Sequence, residues 1–268
     1  MKKVLVTGGS GFLGSNVIEE LLEKKFFVIN FDLNSLNIKN KNYKFVEGNI
    51  LDEKLIIKEI KNIDYVFHFA GLSDIDDSID NAKEATNQNI LGLINFLNLS
   101  KEYKIKRFFL ASTLYVYSQK GSFYRITKQA AENYVKEYYK QYNLKYTILR
   151  YGSLYGKNSN KNNGIRRFLE QAVKSNEIVY QGRKNDTREY INVSDASILT
   201  VKTIDKIYEN KSLIISGIDK FKAEELFRIF SDILNKKLKI TYADRKKDNS
   251  HYNMTPFSYS EDKAKKIV

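Results

Sequence analysis

The spacing of three N-terminal glycines is the feature that most restricts how this chain can fold. Gly8, Gly11 and Gly14 follow a short apolar strand, predicted at residues 4–7, and open a helix predicted over residues 12–24. Gly8 permits a tight turn, Gly11 lets the backbone approach a ligand, and Gly14 lets the helix pack closely on the strand. Strand, glycine turn and helix in this order predict a Rossmann-type unit with a phosphate site at the helix N-terminus.

An acidic residue at the end of the second predicted strand indicates which dinucleotide this unit holds. The strand covers residues 27–31 and leads into Asp32. A carboxylate at this place accepts hydrogen bonds from the adenosine ribose hydroxyls and repels a 2′-phosphate. We therefore interpret residues 2–32 as a pocket for NAD rather than NADP. In the alternative interpretation, Asp32 is a solvated strand end and the glycines form an ordinary turn.

The first half of the chain continues as an alternation of strands and helices. Short segments rich in β-branched and aromatic residues are typical of strands buried on both faces. Amphipathic helices are predicted over residues 84–101 and 123–142, and further strands at residues 43–46, 65–69, 107–112 and 146–151. This alternation predicts an α/β fold with a doubly wound parallel sheet.

The alternation ends after residue 151. We therefore predict an NAD-binding domain at residues 1–151 and a smaller substrate-binding region at residues 152–268. The second region begins with an asparagine-rich loop and ends, from residue 257, in what resembles the lead-in to a terminal helix. Between them we predict a helix from about residue 165, strands near residue 178 and at 189–193, and helices at 195–208 and 223–234.

Composition excludes several classes of protein. The 268 residues are 42% hydrophobic, which is ample for a packed core. The chain has no cysteine and only two histidines, so we expect neither disulfides nor a metal site. No apolar run approaches the ~20 residues of a membrane span, and no signal peptide precedes the first strand. We therefore expect a cytoplasmic protein without a membrane partner.

The net charge of +13 raises the question of a nucleic-acid partner. The lysines are scattered along the chain rather than gathered in one tract. This distribution favours a general compositional bias, and we expect no nucleic-acid partner. A basic surface is still suited to an anionic substrate.

Several further motifs follow one another in order. Residues 66–72 read Val-Phe-His-Phe-Ala-Gly-Leu, residues 149–156 read Leu-Arg-Tyr-Gly-Ser-Leu-Tyr-Gly, and residues 188–193 read Arg-Glu-Tyr-Ile-Asn-Val. Together with the glycine spacing, these segments resemble the extended short-chain dehydrogenase/reductase family, the nucleotide-sugar epimerases and dehydratases. The resemblance runs from residue 2 to about residue 200.

The resemblance implies a set of cofactor contacts. Asn89 matches a family asparagine that braces the active site, and Asn49 stands where the family has an aspartate beside the adenine, which weakens that contact. The implied NAD-binding residues are Gly8, Gly11, Phe12, Leu13, Gly14, Asp32, Asn34, Asn49, Ile50, Phe69, Ala70, Gly71, Asn89, Ala111, Tyr124, Lys128, Tyr151 and Ser153.

The family's catalytic centre combines Tyr-x-x-x-Lys with a hydroxyl residue on the preceding strand. The Tyr-x-x-x-Lys spacing occurs four times here, starting at Tyr124, Tyr180, Tyr242 and Tyr259. Only Tyr124 follows the fifth predicted strand and opens a long helix, and the spacing places Tyr124 and Lys128 on one helix face. The resemblance implies that Lys128 and NAD together lower the pKa of Tyr124, which then removes a hydroxyl proton. Tyr124 could instead be a partly buried helix residue.

The same resemblance implies a substrate site formed by Ser73, Thr113, Ser153 and Arg188, in which Thr113 binds the reacting oxygen and Arg188 holds a diphosphate. Arg188 could instead be an exposed surface residue. Leu114 and Tyr115 occupy the places of the acidic pair that eliminates water in the 4,6-dehydratases, which disfavours that reaction. Only ten residues separate Thr113 from Tyr124, fewer than is usual in the family. We therefore expect a pocket that is open or that another subunit completes.

The implied function is NAD-dependent hydride transfer at a sugar carbon, most often C4, of a nucleotide-diphosphate sugar. Epimerase, dehydrogenase and reductase outcomes stay open, as do the sugar and the nucleotide. The alternative class is a non-catalytic NAD-binding regulator or scaffold on the same fold. By analogy with the family, we expect a homodimer in which residues 84–101 and 123–142 of each subunit form a four-helix bundle.

Overall fold

The helices and strands lie within residues 1–243 and 251–257, the part of the chain that the computed structural model describes. The strands in this part are β1 Lys3–Thr7, β2 Phe27–Asp32, β3 Tyr43–Glu47, β4 Tyr65–His68, β5 Arg107–Thr113, β6 Tyr146–Tyr151, β7 Ser153–Tyr155, β8 Glu177–Gln181, β9 Thr187–Asn192, β10 Lys211–Ile215, β11 Lys220–Lys222 and β12 Lys239–Ala243. Its helices are α1 Phe12–Glu23, α2 Glu53–Ile60, α3 Ile75–Asp80, α4 Ala82–Thr86, α5 Gly92–Glu102, α6 Ser122–Tyr142, α7 Gly164–Ser175, α8 Val193–Lys202 and α9 Ala223–Leu234. A π-helical turn, Asn87–Leu91, joins α4 to α5, and most of the predicted terminal segment lies outside the described residues.

A parallel sheet forms the centre of the molecule and confirms the predicted fold class. Its strand order is β3-β2-β1-β4-β5-β6-β10, so the order reverses between β1 and β4. The six strands predicted in the first half of the chain are confirmed, with ends that differ by one residue at most. Ligands of such sheets bind at the carboxyl ends of the strands, beside the point of reversal. Thr7, Asp32, Thr113 and Tyr151 end their strands at this edge.

Apolar layers cover both faces of the sheet. One layer packs α2, α5 and α6 against the strands, with the fully buried rings of Phe31, Phe96 and Phe108 at its centre. The other packs α1 and α8 against the opposite face, around Ile18 and Phe67. Each such side chain stabilises the fold by roughly 1.5–3 kcal/mol through burial. The layers fix the strand ends that carry the site.

The chain returns to the large sheet after the predicted boundary at residue 151. Strand β10 pairs with β6 in parallel register, and α8 packs on the layer of α1. The helix predicted over residues 195–208 ends at Lys202 and is followed by a short 3₁₀ turn. The buried guanidinium of Arg107 explains this end, because its Nη1 binds the carbonyl oxygens of Thr203 and Asp205 at 2.8 and 3.2 Å. The chain can then turn back toward the sheet.

The smaller unit packs α7 and α9 against short strands. Phe168, Ile178 and Phe227 form its core. Residues 251–257 run beside the start of β9, where the Thr187 amide donates to the Asn253 carbonyl at 2.7 Å. This unit therefore carries β9 and the C-terminal segment toward the carboxyl edge of the large sheet.

The glycine turn is packed too tightly for side chains. Gly8 has a φ of +68°, and a Cβ there would lie 2.5 Å from the amide nitrogen of Ala70. A Cβ on Gly14 would lie 2.2 Å from the Gly8 carbonyl oxygen and 2.7 Å from the Cα of Gly9. Both neighbours are backbone atoms, so neither can move aside cheaply.

We expect Gly14→Ala to lower the free energy of unfolding by about 1–3 kcal/mol, the usual cost of overpacking, and to weaken NAD binding. The physical reason is that the added methyl group must push the glycine turn away from α1. Urea denaturation and a calorimetric NAD titration measure the two effects. Gly164→Ala is the matched control, because a Cβ there meets only a Phe168 ring carbon at 3.7 Å. Equal stability and equal NAD affinity of the two variants would contradict this account.

Candidate active site

A cleft of about 680 Å³ follows the carboxyl edge of the sheet from the glycine turn to α6. It brings together residues that are far apart in sequence, because parallel strands end at the same edge. The predicted residues that line it are Gly8, Gly11, Phe12, Leu13, Gly14, Asp32, Asn34, Asn49, Ile50, Phe69, Ala70, Gly71, Ser73, Ala111, Thr113, Tyr124, Lys128 and Tyr151.

Three predicted residues lie elsewhere. Asn89 is behind the cleft, where its Nδ2 donates to the Leu72 carbonyl at 3.0 Å and to Thr127 Oγ1 at 2.9 Å. Asn89 does not line the cofactor cleft, and the bracing role that the resemblance implies stays a prediction. Ser153 and Arg188 line a neighbouring cavity instead.

Some lining residues were missed by the sequence analysis. Glu84 and Gln88 face the cleft from α4 and the π-helical turn, and no sequence signal could have identified them. Asn163 could have been found, because it directly precedes a predicted helix. Its Oδ1 accepts the Arg166 amide at 3.2 Å and caps α7, while its Nδ2 donates to the Leu154 carbonyl at 2.8 Å.

The glycine end of the cleft is suited to a pyrophosphate. Gly11 is the N-cap of α1, and among the described residues no side chain caps this helix. The first amides of α1 and its dipole are therefore available to an anion. Asp32 organises the turn, since its carboxylate accepts the amides of Ser10 and Asn34, each at 3.0 Å.

The other end of the cleft holds Thr113, Tyr124 and Lys128. The Lys128 ammonium donates to the Ala111 carbonyl at 3.0 Å and lies 5.9 Å from the centre of the Tyr124 ring. Ser78, on α3, accepts the Tyr124 amide at 3.2 Å and so fixes the start of α6. The predicted trio is thus assembled at one place.

The other Tyr-x-x-x-Lys tyrosines lie away from this trio. Tyr180 lines the neighbouring cavity, and Tyr242 is on β12 in the smaller unit. Tyr259 lies outside the described residues.

Burial shifts the pKa values of the catalytic pair in opposite directions. Desolvation raises the pKa of Tyr124 to about 12, although the neighbouring Thr113 hydroxyl lowers it as a hydrogen-bond partner. Desolvation also lowers the pKa of Lys128 to about 8, against the charge of Glu132, which raises it. The expected lowering of the Tyr124 pKa is therefore not produced by Lys128 alone. Burial dominates the pKa of Tyr124, and the positive nicotinamide of NAD, when bound, would favour the phenolate.

We expect Lys128→Met to stabilise the fold at pH 7 and to abolish turnover. Below pH 8 the folded protein holds a buried ammonium, which costs free energy that a methionine does not. Between pH 8 and the unfolded lysine pKa of 10.5, the unfolded chain binds more protons than the folded one. The free energy of unfolding of the parent therefore increases with pH relative to that of the variant. Urea denaturation of both proteins from pH 7 to 10.5 measures the two free energies of unfolding. A stability advantage of the variant that grows with pH would contradict the lowered pKa of Lys128.

A buried ion pair lies one helical turn beyond Lys128. Arg150 binds both carboxylate oxygens of Glu132, through Nε at 2.9 Å and Nη2 at 2.5 Å. Ser112 Oγ donates to the same carboxylate at 2.6 Å. Ser112 and Arg150 directly precede Thr113 and Tyr151, so this network ties α6 to the ends of β5 and β6.

The neighbouring cavity has a volume of about 570 Å³ and shares Leu154 and Asn163 with the cleft. Arg188 lines it, and its guanidinium carbon lies 4.0 Å from the centre of the Tyr252 ring. Nη1 of Arg188 is buried and has no hydrogen-bond partner among the described residues. A buried guanidinium with an N–H donor that has no partner among the described residues is suited to an anionic ligand.

A dinucleotide cleft that ends at a Thr-Tyr-Lys set defines an NAD-dependent enzyme of the extended short-chain dehydrogenase/reductase type. The chain belongs to the NAD dependent epimerase/dehydratase family, whose sequence profile matches residues 4–215. NAD is accordingly its cofactor. The residues present fit NAD, because the glycine turn leaves no room for side chains, an acid ends β2 and the cleft reaches Lys128.

Individual relatives are similar over most of their length. The chain is 29% identical to a putative UDP-glucose 4-epimerase of Methanocaldococcus jannaschii, over 84% of this chain and 80% of that protein. It is 27% identical to the dTDP-D-glucose 4,6-dehydratase of Mus musculus, over 94% of this chain and 80% of that protein. The solved UDP-glucose 4-epimerase of Thermotoga maritima, with UDP-glucose, superposes with a TM-score of 0.86 at 27% identity, over 96% of this chain and 90% of that one.

Two of the expected absences concern residues that the structure describes. Within residues 1–243 and 251–257, no helix combines the length and apolar character that crossing a bilayer requires. The same residues contain no cluster of three or more His, Cys, Asp or Glu side chains that could hold a metal ion. The cytoplasmic location and the lack of a nucleic-acid partner stay predictions.

Proposed function

We propose that this enzyme interconverts the C4 epimers of a nucleotide-diphosphate sugar, and that UDP-sugars are its first candidate substrates. The observation that carries the proposal is the junction of the two cavities. Thr113, Tyr124 and Lys128 line the NAD cleft, and this cleft shares Leu154 and Asn163 with the cavity of Arg188. Two of the relatives reported above are named as UDP-glucose 4-epimerases, which supports UDP as the nucleotide.

The chain's own side chains divide the chemistry between them. NAD, when bound, supplies the acceptor for a hydride from the sugar carbon. The Tyr124 oxygen takes the proton of the C4 hydroxyl, and Thr113 orients that oxygen by a hydrogen bond. The Lys128 ammonium favours the phenolate over the phenol. Arg188 holds the diphosphate, and Tyr124 returns the proton when the ketone is reduced.

We further propose that the enzyme is not a 4,6-dehydratase, although a mouse relative is named as one. Elimination of water needs an acid and a base beside Thr113. Leu114 is fully buried in this place, and the Tyr115 hydroxyl is hydrogen-bonded to His251 Nδ1 at 2.8 Å. Neither side chain can act as a carboxylic acid.

Incubation with a panel of UDP-, GDP-, CDP- and dTDP-sugars tests the proposal. We expect one sugar nucleotide to form its C4 epimer, detected by NMR, without net consumption of NAD. Formation of a ketone and NADH in equal amounts would assign a dehydrogenase. Reduction of a keto sugar nucleotide with consumption of NADH would assign a reductase. Bound NAD without hydride exchange for any sugar would favour the regulator or scaffold and would overturn the proposal.

We also propose that the protein is a homodimer paired through α5 and α6. Large apolar side chains of this region are exposed in the single chain, among them Phe123, Ile126 and Tyr134 of α6 and Leu91 just before α5. Exposed apolar side chains that share one face are typical of a protein interface. Sedimentation velocity at micromolar concentration should show a dimer, and Ile126→Glu should shift it toward the monomer. A monomeric parent would contradict the proposal.

A further inference from the structure

Tyr115 stands between the catalytic tyrosine and the diphosphate-binding arginine. Its ring packs edge-on to the Tyr124 ring, with the ring centres 6.4 Å apart. The centre of the Tyr115 ring also lies 4.4 Å from the centre of the Tyr252 ring. The Arg188 guanidinium covers the Tyr252 ring at 4.0 Å. Tyr115 and Tyr252 thus form a continuous aromatic wall from Tyr124 to Arg188.

The Tyr115 ring is held firmly in this place. Gly121, whose φ is +102°, packs so closely that a Cβ on it would lie 2.6 Å from Tyr115 Cδ1. The Tyr115 hydroxyl bonds to His251 Nδ1 at 2.8 Å. The short connection between Thr113 and Tyr124 therefore restrains the ring through Gly121, and the C-terminal segment restrains it through His251.

The C-terminal segment is in turn fixed to the smaller unit. Thr255 is buried, and its hydroxyl accepts the Glu189 amide at 3.2 Å, while the Asn253 carbonyl accepts the Thr187 amide. Thr187 and Glu189 flank Arg188 on β9. The Tyr115–His251 hydrogen bond therefore joins the catalytic half of the molecule to the strand that carries Arg188.

We propose that Tyr115 is a positioning residue whose aromatic wall, latched by His251, retains the oxidised sugar until it is reduced again. The proposal rests on the proposed function. During turnover the C4–H bond breaks, the hydride and its electron pair pass to oxidised NAD, and the hydroxyl proton passes to Tyr124. The resulting keto sugar must rotate in the site before hydride returns to the opposite face of its carbonyl group. Aromatic rings offer contact area with little directional bonding, so they can confine a sugar that rotates.

The aromatic wall includes a residue of the short connection between Thr113 and Tyr124. Tyr115 is one of the ten residues between Thr113 and Tyr124, and it lines the sugar cavity. His251 lines the same cavity, beside Arg188. Side chains of the same chain therefore form this wall of the cavity, and completion by another subunit stays a prediction.

The test compares the parent with Tyr115→Phe, which keeps the ring and removes the hydroxyl, and with His251→Phe, which removes the other partner. Each reaction contains a UDP-sugar that the parent epimerises. We expect the ratio of free ketone with NADH to epimerised product to rise about fivefold to tenfold in either variant, the range that one lost hydrogen bond allows. The double variant should show no further rise in this ratio, because both substitutions remove the same Tyr115–His251 hydrogen bond.

Equilibrium binding provides a second measurement that needs no turnover. By calorimetry, Tyr115→Phe should weaken binding of the UDP-sugar by a similar factor and leave UDP itself unaffected. Tyr208→Phe is the matched control, since Tyr208 lies in a 3₁₀ turn remote from the cavity. Hydride transfer in the parent with an unchanged product ratio and unchanged binding in Tyr115→Phe would overturn this inference alone. Absence of hydride transfer in the parent would overturn the proposed function and this inference with it.

Discussion

Tyr124→Phe is expected to reduce turnover by about 10²–10⁴-fold, the range typical of a lost general acid–base group. In the proposed mechanism the phenol oxygen carries the proton in both directions of the reaction, and a phenylalanine ring has no proton to exchange there. Steady-state rates and single-turnover formation of NADH measure the loss. Calorimetry should show that NAD and UDP still bind, because the substitution removes only one hydroxyl.

Tyr242→Phe is the control for this prediction. It changes a tyrosine with the same Tyr-x-x-x-Lys spacing, but this residue lies on β12 and outside both cavities. We expect its turnover to match that of the parent. Retained activity in Tyr124→Phe would remove the assignment of Tyr124 as the acid–base group, even if the epimerase reaction itself were established.

Glu132→Gln is expected to lower the free energy of unfolding by about 3–5 kcal/mol, because it leaves the Arg150 guanidinium buried without its counter-ion. It should also slow turnover, since the same carboxylate ties Ser112 and the helix of Lys128 together. The loss of its charge lowers the pKa of Lys128 further. Urea denaturation gives the stability, and the pH dependence of turnover reports on Lys128.

Two controls separate this effect from the removal of any ion pair. Glu170→Gln breaks a surface pair with Arg166 and should cost no more than about 1 kcal/mol. Replacing both partners, as in Glu132→Leu with Arg150→Met, should recover much of the stability, because the buried guanidinium is then removed together with its counter-ion. If the double replacement is as unstable as Glu132→Gln, packing rather than the unpaired charge causes the loss.

Local sequence signals were sufficient for six of the seven strands of the large sheet and for the NAD end of the cleft. The six strands of the first half are buried on both faces, so each appears as an apolar run between turns. Gly8, Gly14 and Asp32 act within one strand–turn–helix–strand unit, where spacing along the chain fixes position in space. The choice of Tyr124 among four similar spacings needed only its place after the fifth strand.

Contacts between distant segments carried no comparable signal. The return of β10 to the sheet depends on register with β6 and on the capture of two carbonyl oxygens by Arg107. Residues of paired strands that are more than 60 positions apart in the chain leave no periodic pattern in a single sequence. The same holds for the bond between Tyr115 and His251, which are 136 positions apart.

The sequence by itself determined that this chain holds NAD at a glycine turn and places a tyrosine and a lysine on one helix face, because these features depend on neighbours along the chain. Only the tertiary structure decided the ionisation of that pair and the shape of the sugar cavity. Burial raises the pKa of Tyr124 and lowers that of Lys128, and burial is a property of the whole packed molecule. The aromatic wall likewise exists only because folding brings the C-terminal segment against Tyr115.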